Sequence, residues 1–146
     1  AWEKSAAVQD AGDVAVLAAD TCVVLDDEIL GKPGDHFDAL AMLARLSGRE
    51  HRVITSVCVR LGAQVEEALS ETRVKFLNLT REDCEAYIAT GEPWDKAGGY
   101  GIQGVAGAFV ESLHGSYTGV VGLPLAETLE LLRRVGVPTA LGPGRG

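Results

Sequence analysis

Aromatic side chains make up only 5% of this sequence of 146 residues, which excludes a core built on large rings. Val, Leu and Ala have to fill the interior instead. Basic residues are also short: 13 Lys and Arg face 21 Asp and Glu, for a net charge of −8. That balance disfavours a nucleic-acid partner, since duplex binding needs clustered cations to displace counterions. Cysteine is sparse as well. Cys22, Cys58 and Cys84 are odd in number and far apart, with no CxxC pair. The pattern excludes a disulfide framework and a zinc site and suits a reducing compartment. His36, His51 and His114 are equally scattered, and each reads as a surface or core histidine. No stretch approaches the ~18 apolar residues of a membrane span, and no signal-peptide pattern is read. The expectation is a cytoplasmic protein with no membrane partner. The chain starts without Met, as a processed protein or a fragment would.

What is present is a globular composition, 47% hydrophobic. A chain of this length buries ~70% of its unfolded surface and needs no disulfide or structural metal. One domain over residues 1–136 is expected, followed by a Pro/Gly tail, 137–146, that reads as disordered. Ala1 to Gln9 reads as the end of a helix and Asp10 to Asp13 as a turn. Val14 to Ala19 is a continuous apolar run, expected to be a strand buried on both faces. Cys22 to Leu25 and Glu28 to Leu30 flank Asp26-Asp27 as a short hairpin. Asp35 is a good N-cap for a helix with Phe37, Leu40, Ala41, Leu43, Ala44 and Leu46 on one face, closed by Ser47-Gly48. His51 to Leu61 and Val65 to Leu77 alternate as a long hairpin about Gly62. Thr80 and Asp83 form a capping-box pattern for a helix reaching Thr90. After a glycine-dense loop, Ala108 to Leu113 reads as a strand. Pro124 opens a last helix with Leu125, Leu129, Leu131 and Leu132 inward.

Two stretches carry chemistry. In the first, Asp20 ends an apolar run, where a carboxylate costs free energy unless it reaches a cleft, a cation or water. Lys32 follows the hairpin, held between Gly31 and Pro33. An acid at a strand end and a base beyond a hairpin converge on one cleft if the hairpin folds back, as a site for a phosphate ester and a metal ion. The plainer readings are a cap for Asp20 and a solvated lysine for Lys32. The second stretch, Asp95 to Gly104, combines an acid, Lys96, the amide Gln103 and glycines that let backbone N–H groups approach an anion. Gln103 offers a donor and an acceptor. Neither GxxxxGK[ST] nor GxGxxG after a strand occurs. Ser116-Tyr117 adds hydroxyls or caps a turn.

Together these segments resemble the Maf family of nucleoside triphosphate pyrophosphatases. The matching stretches are Lys4-Ser5-Ala6, Ala19-Asp20-Thr21, Leu30-Gly31-Lys32-Pro33, Leu46-Ser47-Gly48 with His51, Asp95 through Gly104, and Gly115-Ser116-Tyr117 followed by Val120 to Pro124. They cover residues 4 to 134 in the family's order. The resemblance implies an α/β fold, a mixed twisted sheet with flanking helices and a central cleft, usually dimeric. It implies hydrolysis of a nucleoside triphosphate to the monophosphate and pyrophosphate with a divalent metal, Mg²⁺ or Mn²⁺. By motif, Asp20 would be the general base or metal carboxylate. Lys4, Lys32 and Lys96 would bind phosphates, and Thr21 and Gln103 would help select the base. The Ala-Asp-Thr form is similar to the branch acting on dTTP and UTP. One departure stands out. The family opens with a strand, a Ser-x-Ser-Pro-Arg-Arg loop and a later glutamate, and this chain begins at the helix that should follow them. The expectation is an N-terminally incomplete domain; the alternative is an inactive nucleotide-binding remnant or regulatory partner.

Overall fold

A computed structural model describes residues 14–142. The expected helix over 1–9, the turn at 10–13 and Lys4 lie outside the described residues. The fold is α/β. Five strands form one sheet in the order β2-β1-β3-β4-β5: β1 Val16–Leu25, β2 Glu28–Leu30, β3 Glu50–Leu61, β4 Gln64–Phe76 and β5 Val110–His114. Every pairing among the described residues is antiparallel. Helices α1 His36–Leu46, α2 Arg81–Ala89, α3 Tyr117–Val121 and α4 Leu125–Arg134 flank it.

Local chemistry sets the turns. Asp26 and Asp27 both adopt left-handed backbone, φ 50° and 65°, between the paired residues Leu25 and Glu28. Two such residues make the turn whose twist matches flanking strands, and Asp tolerates that region better than most. Arg49 reaches back to Asp26 at 2.7 Å and holds the turn to the start of β3. The Asp35 side chain accepts from the Asp38 N–H at 2.8 Å and caps α1. Thr80 and Asp83 complete a reciprocal capping box on α2.

Several elements depart from the sequence expectation. The strand expected over Val14 to Ala19 is not buried on both faces and does not stop at Asp20. It starts at Val16 and runs on to Leu25, because β3 offers an unbroken partner from Val16↔Arg60 to Val24↔Arg52. Asp20 is therefore mid-strand, not at a strand end. In α1 the buried face is Ala39, Met42, Leu43 and Leu46, while Phe37 is 77% exposed and Ala41 and Ala44 face solvent. Periodicity allowed either stripe, and packing on the sheet selected one. In α4 the buried residues are Thr128 and Leu131, with Leu125 56% exposed. Pro124 is the N-cap. Ala108 and Phe109 belong to a 3₁₀ turn, so β5 begins at Val110. Past α4, Val137 packs against the core and Thr139 pairs with Gly142.

One face of the sheet carries two cores. Val23, Leu25, Val53, Val74 and Phe76 meet Leu43, Leu46 and Tyr87 at one end. Val57 and Val59 meet Leu131 and Val135 at the other. Between them lies a polar rung, since Thr21 pairs with Thr55 and Thr55 with Ser70.

Candidate active site

A cavity of about 560 Å³ opens at that polar rung. This is within the usual range for a small-molecule site, ~300–1,000 Å³. Its floor is mostly apolar: Val23 of β1, Val53 of β3, and Val120 and Val121 of α3, with Thr21 among them. Its rim is polar and charged. Lys32 comes from the segment after β2, and Glu92, Asp95, Lys96 and Gln103 from the loop of short 3₁₀ turns after α2. The Gly98 N–H donates to the Gly31 carbonyl at 3.0 Å, which staples the glycine-rich loop beside Lys32. Two stretches far apart in sequence thus present their lysines to one space.

The loop is pinned from below. Tyr100 is buried, packs edge-on against Phe76 at 4.8 Å between centroids, and its hydroxyl lies 2.6 Å from His51 Nε2. The Gly101 N–H donates to the Tyr87 hydroxyl at 3.2 Å. Burial drives the pKa of His51 down to about 4, so the imidazole is neutral near pH 7. Burial first, and then the neighbouring Glu92 charge among lesser causes, pushes Tyr87 up to about 12. Both groups serve as neutral struts. Gly101 lets Lys96 lie close over the loop: a Cβ there would sit 2.6 Å from Lys96 Cε, so a larger residue would move the lysine side chain.

The rim charges are mutually engaged. Lys96 Nζ donates to Asp95 at 2.9 Å and to the Glu92 carbonyl at 3.2 Å. The Asp95 carboxyl is held below its ordinary value, first by the Lys96 hydrogen bond and charge, and also by the charge of Lys32. Both ammonium groups therefore act on one carboxylate. Glu92 Oε1 accepts from the Val105 N–H at 3.2 Å, and Oε2 is buried; the carboxylate also acts on the Tyr87 hydroxyl through its charge and a hydrogen bond. Glu92 is the site residue that sequence reasoning passed over. It sits in a helix-stop tripeptide, Gly91-Glu92-Pro93, and only the fold turns it toward the lysines.

Of the residues singled out from the sequence, Thr21, Lys32, Lys96 and Gln103 meet in this cavity. Asp20 is not among its lining residues. Successive strand residues point to opposite faces, so with Thr21 and Val23 on the cavity, Asp20 and Cys22 face the other side. The Cys22 thiol registers this: burial and then the Asp20 charge push its pKa up, and Arg52 opposes them. The expected convergence of Asp20 and Lys32 on one cleft is not what the strand geometry gives. Ser116 takes the capping role, accepting from the Gly119 N–H at 2.9 Å. Among the described residues, no group of three or more His, Cys, Asp or Glu side chains could hold a metal ion. No helix among them is long and apolar enough to cross a membrane.

An α/β domain with an apolar-floored cavity rimmed by Lys32, Lys96, Glu92 and Asp95 has the make-up of a small-molecule site. A profile of the Maf-like protein family matches residues 1–135. The chain belongs to the Maf family. Curated relatives named dTTP/UTP pyrophosphatase include one from Pasteurella multocida, 48% identical over 93% of this chain and 68% of its own length. Another, from Methylobacillus flagellatus, is 55% identical over 86% of this chain and 63% of its own. A third, from an Anaeromyxobacter species, is 54% identical over 100% of this chain and 74% of its own. The chain thus spans about two thirds of the length of the curated relatives it matches.

Proposed function

We propose that this domain is a nucleoside triphosphate pyrophosphatase that hydrolyses dTTP and UTP to the monophosphate and pyrophosphate. The observation that carries the reading is the division of the cavity: Lys32 and Lys96 on one rim, and a valine floor with Thr21 on the other. Lysine ammoniums suit phosphates as point charges, and an apolar floor suits the faces of a pyrimidine ring. In the reaction, water attacks the α-phosphorus, the bond to the bridging β-phosphate oxygen breaks, and pyrophosphate leaves with its new charge facing the lysines.

The family motif would give the water proton to Asp20, a role that requires the substrate to reach the sheet face opposite this cavity, since Asp20 is not among the cavity's lining residues. Glu92 is the second reading, favoured by its place on the cavity lining with a buried carboxylate oxygen. A divalent ion, Mg²⁺ or Mn²⁺, belongs to the proposal as the counter-ion of the triphosphate. The described carboxylates do not form a cage for it. A homodimer in the cytoplasm completes the proposal. The alternative is a nucleotide-binding domain or regulatory partner without catalytic activity.

Pyrophosphate release from dTTP and UTP tests the function. Lys32→Ala and Lys96→Ala are each expected to lower kcat/KM by about 10²–10³. Asp20→Asn and Glu92→Gln, assayed side by side, identify the base as the one whose loss removes kcat while nucleotide still binds. Binding without pyrophosphate release in the unaltered chain would leave that alternative as the correct reading.

A further inference from the structure

Thr55 is fully buried in the middle of β3, and its hydroxyl has two oxygen neighbours. One is the carbonyl of Gly119 in α3, at 2.7 Å, and the other is Thr21 Oγ1, at 2.9 Å. A carbonyl oxygen only accepts, so the single Thr55 proton must go to Gly119. Thr55 Oγ1 is then the acceptor for Thr21, and the one proton of Thr21 is committed in turn. Thr21 lines the cavity, and wherever its oxygen meets a ligand there it offers lone pairs alone. We infer that Thr55 is a specificity-determining positioning residue: acting through Thr21, it makes this point of the cavity demand a hydrogen-bond donor from the base. The inference rests on the pyrimidine-nucleotide reading proposed above and deepens it. Uracil and thymine carry a donor at ring position 3, an imide N–H, where cytosine carries a bare acceptor nitrogen. A Thr21 hydroxyl of fixed polarity accepts from the first and repels the second. Gln103 cannot make that distinction alone, because its amide can rotate to offer either a donor or an acceptor.

The test measures equilibrium binding and pyrophosphate release with UTP and with CTP. It compares the unaltered chain with Thr55→Val, Thr55→Ser and Thr21→Val. The unaltered chain should prefer UTP. Thr55→Val keeps the shape of the side chain but frees the Thr21 proton to turn toward cytosine. The UTP:CTP preference should fall by about tenfold, chiefly through better CTP binding. Thr55→Ser should restore the preference. Thr21→Val, which leaves the Thr55–Gly119 bond in place, should lose it by weakening UTP. A merely structural role for Thr55 would depress both nucleotides together and leave the ratio unchanged. An unchanged ratio in both Val variants, or an unaltered chain indifferent to UTP and CTP, overturns this inference while pyrophosphate release stands. An unaltered chain that neither binds nor cleaves either nucleotide overturns the proposed function as well.

Discussion

The two faces of the sheet come from the same three long strands and have opposite characters. On the helix-covered face, Val23, Val53, Val74 and Phe76 pack under α1 and α2, and the cavity interrupts them at the threonines. On the other face Arg52 lies between Asp27 and Glu71, Arg73 sits opposite Arg52, and Leu69 is 65% exposed. Alternation along each strand makes this division unavoidable, because a side chain one residue away in sequence is a whole sheet thickness away in function. The contrast teaches most at Asp20 and Thr21. Adjacent in the motif, they belong to different surfaces, and only Thr21 lines the cavity.

Stability measurements sharpen the contrast. Phe76 touches His51, Tyr100 and Phe109 edge-on, so Phe76→Ala should cost about 3–5 kcal/mol in denaturant unfolding, while Leu69→Ala on the opposite face should stay within about 0.5 kcal/mol. Equal costs would mean that Leu69 is covered in solution. The next effect is pH-dependent. The folded pKa of His51 lies near 4, below its unfolded value of 6.5, so between those values the unfolded chain binds the extra proton. Its contribution is fully present above pH 6.5 and is lost as pH falls toward 4, with a slope of up to about 1.4 kcal/mol per pH unit. Unfolding free energies measured across that window should show the slope, and His51→Gln should flatten it. A slope unaffected by the substitution would place the proton elsewhere. The smallest effect belongs to the open face. Arg52→Gln removes the 2.9 Å pair with Glu71, and should lower stability slightly at low salt and still less at 1 M. A larger, salt-independent loss would give that face a structural role beyond solvation.

Much of the fold was legible because its signals are local. The Asp26-Asp27 hairpin, the Asp35 cap, the Thr80–Asp83 box and the hairpin about Gly62 each depend on a few adjacent residues, and each is present. The inward faces of α1 and α4 were less legible. Ala-rich α1 offered two apolar stripes, and the sheet selected the one through Ala39 and Met42. In the site, lysine and amide motifs found Lys32, Lys96 and Gln103 without difficulty. Glu92 gave no motif signal, and Thr55 looked like one more alternating strand residue.

By itself the sequence determined the family, the order of the strands and helices, the turns between them and the kinds of side chain able to hold a phosphate. These follow from short-range sterics, capping and periodicity, which neighbouring residues settle among themselves. Only the tertiary structure decided which side chains share a space: that Gly98 ties Lys96 to Lys32, that Asp20 faces away from Thr21's cavity, and that Thr55 fixes the direction of a proton. Those are facts of strand register and sheet face, set by partners 30 to 70 residues away, as the separations of 34 for Thr21–Thr55 and 64 for Thr55–Gly119 show. No local pattern encodes them.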